Sequence, residues 1–146
     1  MAILMNCVKK IAVLSVLFAL LLLFCACEAK SDAASIEIVT KDSYYLDYFI
    51  EEDCVVIKCH YSIVNHTNAK QSIQLCGFFQ DDHKLGLLTE TQLLANNIPE
   101  KGNACFELSP GKNAIEVFYV GTFGGVNQKT NRLLPETTII KLDAAG

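Results

Sequence analysis

The chain has 146 residues, of which 51% are hydrophobic and 19% charged, and a formal net charge of −4. All 16 acidic residues lie at or beyond Glu28, so everything after the apolar amino terminus carries ten basic against sixteen acidic groups, a charge of −6. A surface of that sign repels phosphate backbones and offers no basic route to anionic lipid, which argues against nucleic acid as a partner and against electrostatic docking to a membrane.

Residues 1–10 end in the pair Lys9-Lys10, and residues 11–24 follow as a run that is apolar apart from Ser15. A positive stretch before a short apolar run is the layout of an export signal, and it falls short of the ~20 residues that a transmembrane helix needs. The run closes on Phe24-Cys25-Ala26-Cys27. These residues resemble the lipobox of bacterial lipoproteins, an apolar residue and two small ones before an acylated cysteine, with Phe24 in place of the usual leucine. The resemblance implies cleavage between Ala26 and Cys27 and a lipid on the Cys27 thiol. Cys25 fits less well, because Phe24 would then fill a position that must be small. A plain secretory leader and an uncleaved anchor are the alternatives, and the shortness of the run speaks against the second.

On this reading residues 1–26 are a lipoprotein signal peptide and residues 27–35 a small, polar, lipidated tether. Extended, the tether spans no more than about 30 Å. The expected location is the extracytoplasmic face of the cell membrane. Without the leader 120 residues remain, enough for one domain and too few for two.

From Ile36 the hydrophobic pattern has period two. Ile36 and Ile38 flank Glu37, and an aromatic stretch over residues 44–50 stops at Glu51-Glu52-Asp53. Next, Val55, Ile57, Cys59, Tyr61 and Ile63 make one apolar face, with Lys58, His60 and Ser62 predicted to point outward. Asn65-His66-Thr67-Asn68 is a turn cluster. Ile73, Leu75 and Phe79 resume the alternation as far as Asp81-Asp82. Residues 85–95 fit either a strand or, over 89–95, a helical turn. Phe106 and Leu108 precede the turn Ser109-Pro110-Gly111-Lys112-Asn113, after which Ile115, Val117 and Tyr119 alternate, as do Ile140 and Leu142 at the end.

Seven or eight short strands at roughly 8–12-residue spacing predict an all-β, antiparallel sandwich over residues 36–146. The stretch from Val55 to Phe79 resembles the early hairpin of small immunoglobulin-like domains in bacterial lipoproteins, although the tryptophan and disulfide of antibody-type cores are absent. Architecture of this kind does not by itself specify a function.

Four cysteines follow Cys27, and export permits disulfides among Cys54, Cys59, Cys76 and Cys105. Cys54 and Cys59 should face opposite sides of one strand, which leaves Cys59 as a core thiol. No CxxC spacing points to redox or zinc chemistry, and His60, His66 and His83 share no metal-binding spacing. Leu134-Pro135-Glu136-Thr137-Thr138 lacks the glycine and tail of a sortase signal, so Pro135 reads as the opening of the last strand. Residues 121–130 lack the Gly-Lys-Thr run of a phosphate loop. Asn65-His66-Thr67 matches a glycosylation sequon that bacterial export makes irrelevant.

Residues 121–132 read as a long loop joining the last two strands. Loops of that length are usually functional or disordered, and Lys129 and Arg132 place positive charge on an otherwise acidic protein. Both are binding candidates, and the dull reading is that Asn131 and Arg132 tie the loop to the sandwich edge. No catalytic frame, metal or cofactor is expected. The leading expectation is a lipid-anchored, non-enzymatic binding module whose partner is an envelope protein or surface ligand. The alternative is a cell-envelope hydrolase using carboxylates such as Glu90 or Glu136. A solute-binding lipoprotein would need two lobes, which 120 residues cannot build.

Overall fold

A computed structural model of the chain describes residues 35–127 and 131–142. The chain divides into two units, Met1–Ala33 and Ala34–Gly146, and the description concerns the second. Its described residues are all-β apart from one short helix and a 3-10 turn at Thr40–Asp42. The strands are β1 (Ile36–Ile38), β2 (Tyr44–Glu51), β3 (Cys54–Asn65), β4 (Gln71–Phe78), β5 (Gln92–Asn96), β6 (Phe106–Leu108), β7 (Gly111–Thr122) and β8 (Glu136–Leu142), with helix α1 (Gln80–Lys84) after β4.

Every pairing is antiparallel. On one edge of β3 lie β1 and β2; on the other lies β7, in unbroken register from Cys54↔Thr122 to Asn65↔Gly111. β5 and β6 share one edge of β4, and β8 takes the other along its whole length. β5 links the two halves, pairing with β4 through Leu94 and with β7 through Ala95 and Asn96. The result is a sandwich-like sheet that nearly closes on itself.

The period-two pattern sets the inside. Val55, Ile57, Cys59, Tyr61 and Ile63 of β3 meet Ile73 and Leu75 of β4 and Val117 and Tyr119 of β7 in one core. Burying side chains of that size stabilises by roughly 1.5–3 kcal/mol each. Gly77 is the inward position of β4 after Leu75, and the gap it leaves is filled by aromatic rings. A Cβ there would lie 2.9 Å from Phe79 Cε2 and 2.9 Å from Tyr119 Cε1.

Turns follow the residues that favour them. Glu51 pairs with Cys54, so Glu52 and Asp53 form a two-residue hairpin, with Glu52 at φ 51° as such turns require. At Asn65 the side-chain oxygen accepts from the Thr67 amide at 3.0 Å, and its amide donates to the carbonyls of Ala69 and Leu108.

Three sequence expectations change. The helical turn lies at Gln80–Lys84, ended by Gly86 at φ 79°, while Gln92–Asn96 is a strand. Glycine at that position closes a helix without Cβ strain. β7 runs on through Gly121 and Thr122, so the last connection starts at Phe123. Ser62 points outward from β3 yet is buried. Its amide donates to Ser43 Oγ and its carbonyl accepts from the Val39 amide, so the β1–β2 connection covers it. Cys54, Cys59, Cys76 and Cys105 are all free thiols.

Candidate functional site

Residues 131–137 run from the last connection into β8, with a cleft on either side. The first, about 590 Å3, lies on the α1 side between Phe78, Phe79, Asp81, Asp82, Lys84 and the segment. The second, about 580 Å3, lies between the segment and the β1–β2 connection, with Ile38, Ser43, Tyr44 and Tyr61 opposite Leu133, Leu134 and Thr137. Arg132, Leu133, Leu134, Pro135 and Glu136 line both. Their volumes fall in the range of small-ligand and peptide-binding cavities. Leu133, at 87% exposure, is the most solvent-accessible large apolar side chain among the described residues.

Three side-chain ties hold this segment and β8 against the opposite rim. The Arg132 side chain is only 5% exposed; its guanidinium is ion-paired to Asp82 and lies 4.5 Å above the Tyr48 ring. Its apolar stem and planar head suit a site between a carboxylate and an aromatic face. Lys141 donates to Ser35 Oγ at the far end of β8. Between them, Thr137 Oγ donates to the Pro135 carbonyl at 2.9 Å and lies 2.7 Å from the Tyr61 hydroxyl, which in turn is 3.1 Å from the Tyr119 hydroxyl.

Burial governs the acids of this interior. It pushes the Tyr61 hydroxyl and the Cys59 thiol up to about 12 and raises Tyr119 well above its ordinary value. These groups stay protonated at neutral pH, and a buried thiol of this kind is inert. Glu90 is a different case. Burial alone would raise it, but hydrogen bonds from the Thr122 amide at 2.8 Å and the Thr122 and Thr89 hydroxyls together hold it below the usual carboxylate range. Lys101 extends the cluster by donating to Thr122 Oγ1 at 3.1 Å. Glu90 thus clasps the 85–92 connection to the end of β7.

Cys27 and Lys129 lie outside the described residues. Arg132 reaches the walls of both clefts, where Asp82 meets its charge. Glu136 lines both clefts, and Glu90 lines neither. His60 stacks on Tyr44 with ring centroids 4.8 Å apart, His66 lies 3.2 Å from Glu37, and no metal-binding cluster occurs among the described residues. Sequence reasoning did not find the Tyr61–Thr137–Tyr119 cluster. Its only signal was two tyrosines at inward positions of facing strands, where a hydroxyl needs a buried partner. Comparison with family models, with curated proteins and with solved structures finds no match to this chain.

Proposed function

We propose that the protein is an extracytoplasmic, lipid-anchored binding module, tethered through Cys27 and presenting the paired clefts around residues 131–137. The observation that carries the binding reading is the pair of clefts itself. Apolar walls surround the hydrogen-bonded hydroxyls of Tyr61 and Thr137 in the second cleft, and burial pushes the Tyr61 hydroxyl up to about 12, so that it stays protonated at neutral pH. Such a surface favours recognition over proton transfer, because general acid–base chemistry needs a group poised near the working pH.

Two acyl chains anchor firmly at ~0.8 kcal/mol per buried methylene. Cys27→Ala should move the protein from the detergent phase of a cell fraction to the aqueous phase. Unchanged partitioning, or an intact Met1 by mass spectrometry, ends the lipoprotein reading.

A second reading is an envelope hydrolase, favoured by one observation: Asp81, Asp82 and Glu136 line the same cleft. Glu90 contributes nothing to it, since it is committed to Thr122.

A further inference from the structure

Phe78 and Glu136 are register partners on β4 and β8, and both line the first cleft. Residues directly opposite one another on antiparallel strands project from the same face of the sheet, with Cβ atoms about 4.5–5.5 Å apart. An aromatic ring and a carboxylate are thus set side by side in one wall. Leu85 and Leu133, both exposed, add apolar surface, with Leu134 and Pro135 beside them. Glu136 also lines the second cleft, but Phe78 lines the first alone.

Charge in the first cleft is uneven. Asp81, Asp82 and Glu136 stand against Lys84 and Arg132. Both cations are matched by the helix acids, Lys84 by Asp81 at 3.8 Å and Arg132 by Asp82. Glu136 takes part in none of the ion pairs among the described residues. The unmatched negative charge of the cleft therefore resides on the carboxylate beside the ring.

That arrangement selects among ligands. An anion meets only cations that are already paired, and a neutral molecule leaves Glu136 unused. A bare metal ion needs several oxygen ligands at once, and no such cluster occurs among the described residues. A primary ammonium brings three N–H donors and must find an acceptor for each. An alkylated ammonium spreads its charge over C–H groups, which suit a ring face, apolar walls and a single carboxylate.

We propose that the first cleft binds an organic ammonium whose nitrogen carries methyl or other alkyl groups. The cationic head lies against Phe78 and Glu136, and the apolar remainder lies along Leu85 and Leu133. Ring quadrupole and carboxylate attract the same charge from adjacent positions. The proposal rests on the binding-module reading and names its ligand class.

The test titrates the full-length chain, in micelles of an uncharged maltoside, with choline, its neutral isostere 3,3-dimethyl-1-butanol, and ethanolamine. Nuclear magnetic resonance follows the Phe78 ring and the methyls of Leu85 and Leu133. Choline should shift these signals saturably and bind about tenfold or more tightly than either other compound. Glu136→Gln, at an exposed position, should keep its melting temperature and bind choline about fivefold more weakly. Glu107→Gln removes the same charge from a residue that lines neither cleft and should bind choline as the unaltered chain does. Equal binding of the isostere or of ethanolamine, unchanged affinity in Glu136→Gln, or no saturable shift at the three reporters would each overturn the ammonium site. Butyrylcholine tests the broader reading separately. Recovered intact it agrees with both, whereas cleavage that Glu136→Gln abolishes would keep the site and end the non-enzymatic function.

Discussion

The two long junctions of this sheet are made in different ways. β3 and β7 are joined by twelve paired residues without a register break, from Cys54↔Thr122 to Asn65↔Gly111. Among the described residues, β8 and the segment before it meet the opposite rim through side chains: Lys141 on Ser35, Thr137 on Tyr61, and Arg132 over Tyr48. A ladder draws on the backbone and tolerates any residue that fits the pattern. Side-chain ties depend on three or four particular residues and can be undone one at a time. Local opening should accordingly be easier at β8 than at β3 and β7.

The comparison can be broken most forcefully from the ladder side. Ile57→Ala removes a fully buried side chain from the core face of β3 and should cost about 2–5 kcal/mol. Urea unfolding should show the loss with β8 and β7 reporting one transition. Separate transitions would mean that β8 folds independently of the ladder.

Tyr61→Phe sharpens the seam side. It leaves the Tyr119 and Thr137 hydroxyls without the hydroxyl that both bond to, a loss of about 1–3 kcal/mol. Hydrogen exchange should quicken more along β8 than along β3, and equal acceleration would remove the distinction. The same residue gives a pH signature. Folding raises Tyr61 above its ordinary value of 10.0, to about 12. Its contribution is complete below pH 10 and is lost as pH rises through the folded value. Alkaline unfolding should become shallower in Tyr61→Phe.

The smallest effect belongs to Glu90, away from both junctions. Its folded value is held below the ordinary 4.5, so its stabilisation is complete above that value and fades as pH falls below it. Glu90→Gln should lower stability by about 1 kcal/mol at pH 7. Thermal melts of the two proteins should converge in acid. A gap that persists to low pH would assign the loss to packing of the 85–92 connection and not to charge.

Much of the fold was legible because burial writes a period of two into the chain. The five inward residues of β3, the turn at Asn65 and the start of β8 after Pro135 all follow from that rule and from turn chemistry. What escaped depended on partners distant in sequence. Ser62 reads as an outward polar residue because nothing in β3 says that Ser43 will cover it. Residues 85–95 mix leucines with Thr89 and Glu90, and only pairing with β4 and β7 settles Gln92–Asn96 as strand. The candidate site was harder still. Arg132 drew notice as a charge on a loop, but its neighbours Asp82 and Tyr48 lie 50 and 84 residues away in sequence. The segment that bounds both clefts read as a loop tie at Asn131 and Arg132, an imperfect sorting signal and a strand opening at Pro135, and none of these placed it between two clefts.

Gly77 and Tyr119 are one choice made at two places. The methyl that Gly77 lacks is the room that the Tyr119 ring occupies, and that ring delivers the first hydroxyl of the chain ending at Pro135. Neither position can drift alone. An alanine at 77 would demand a smaller residue at 119, and losing that phenol would unsettle Tyr61 and the start of β8. Descendants of this sequence should therefore show the two sites changing together, an inheritance pattern that reports on the seam without any structure being determined.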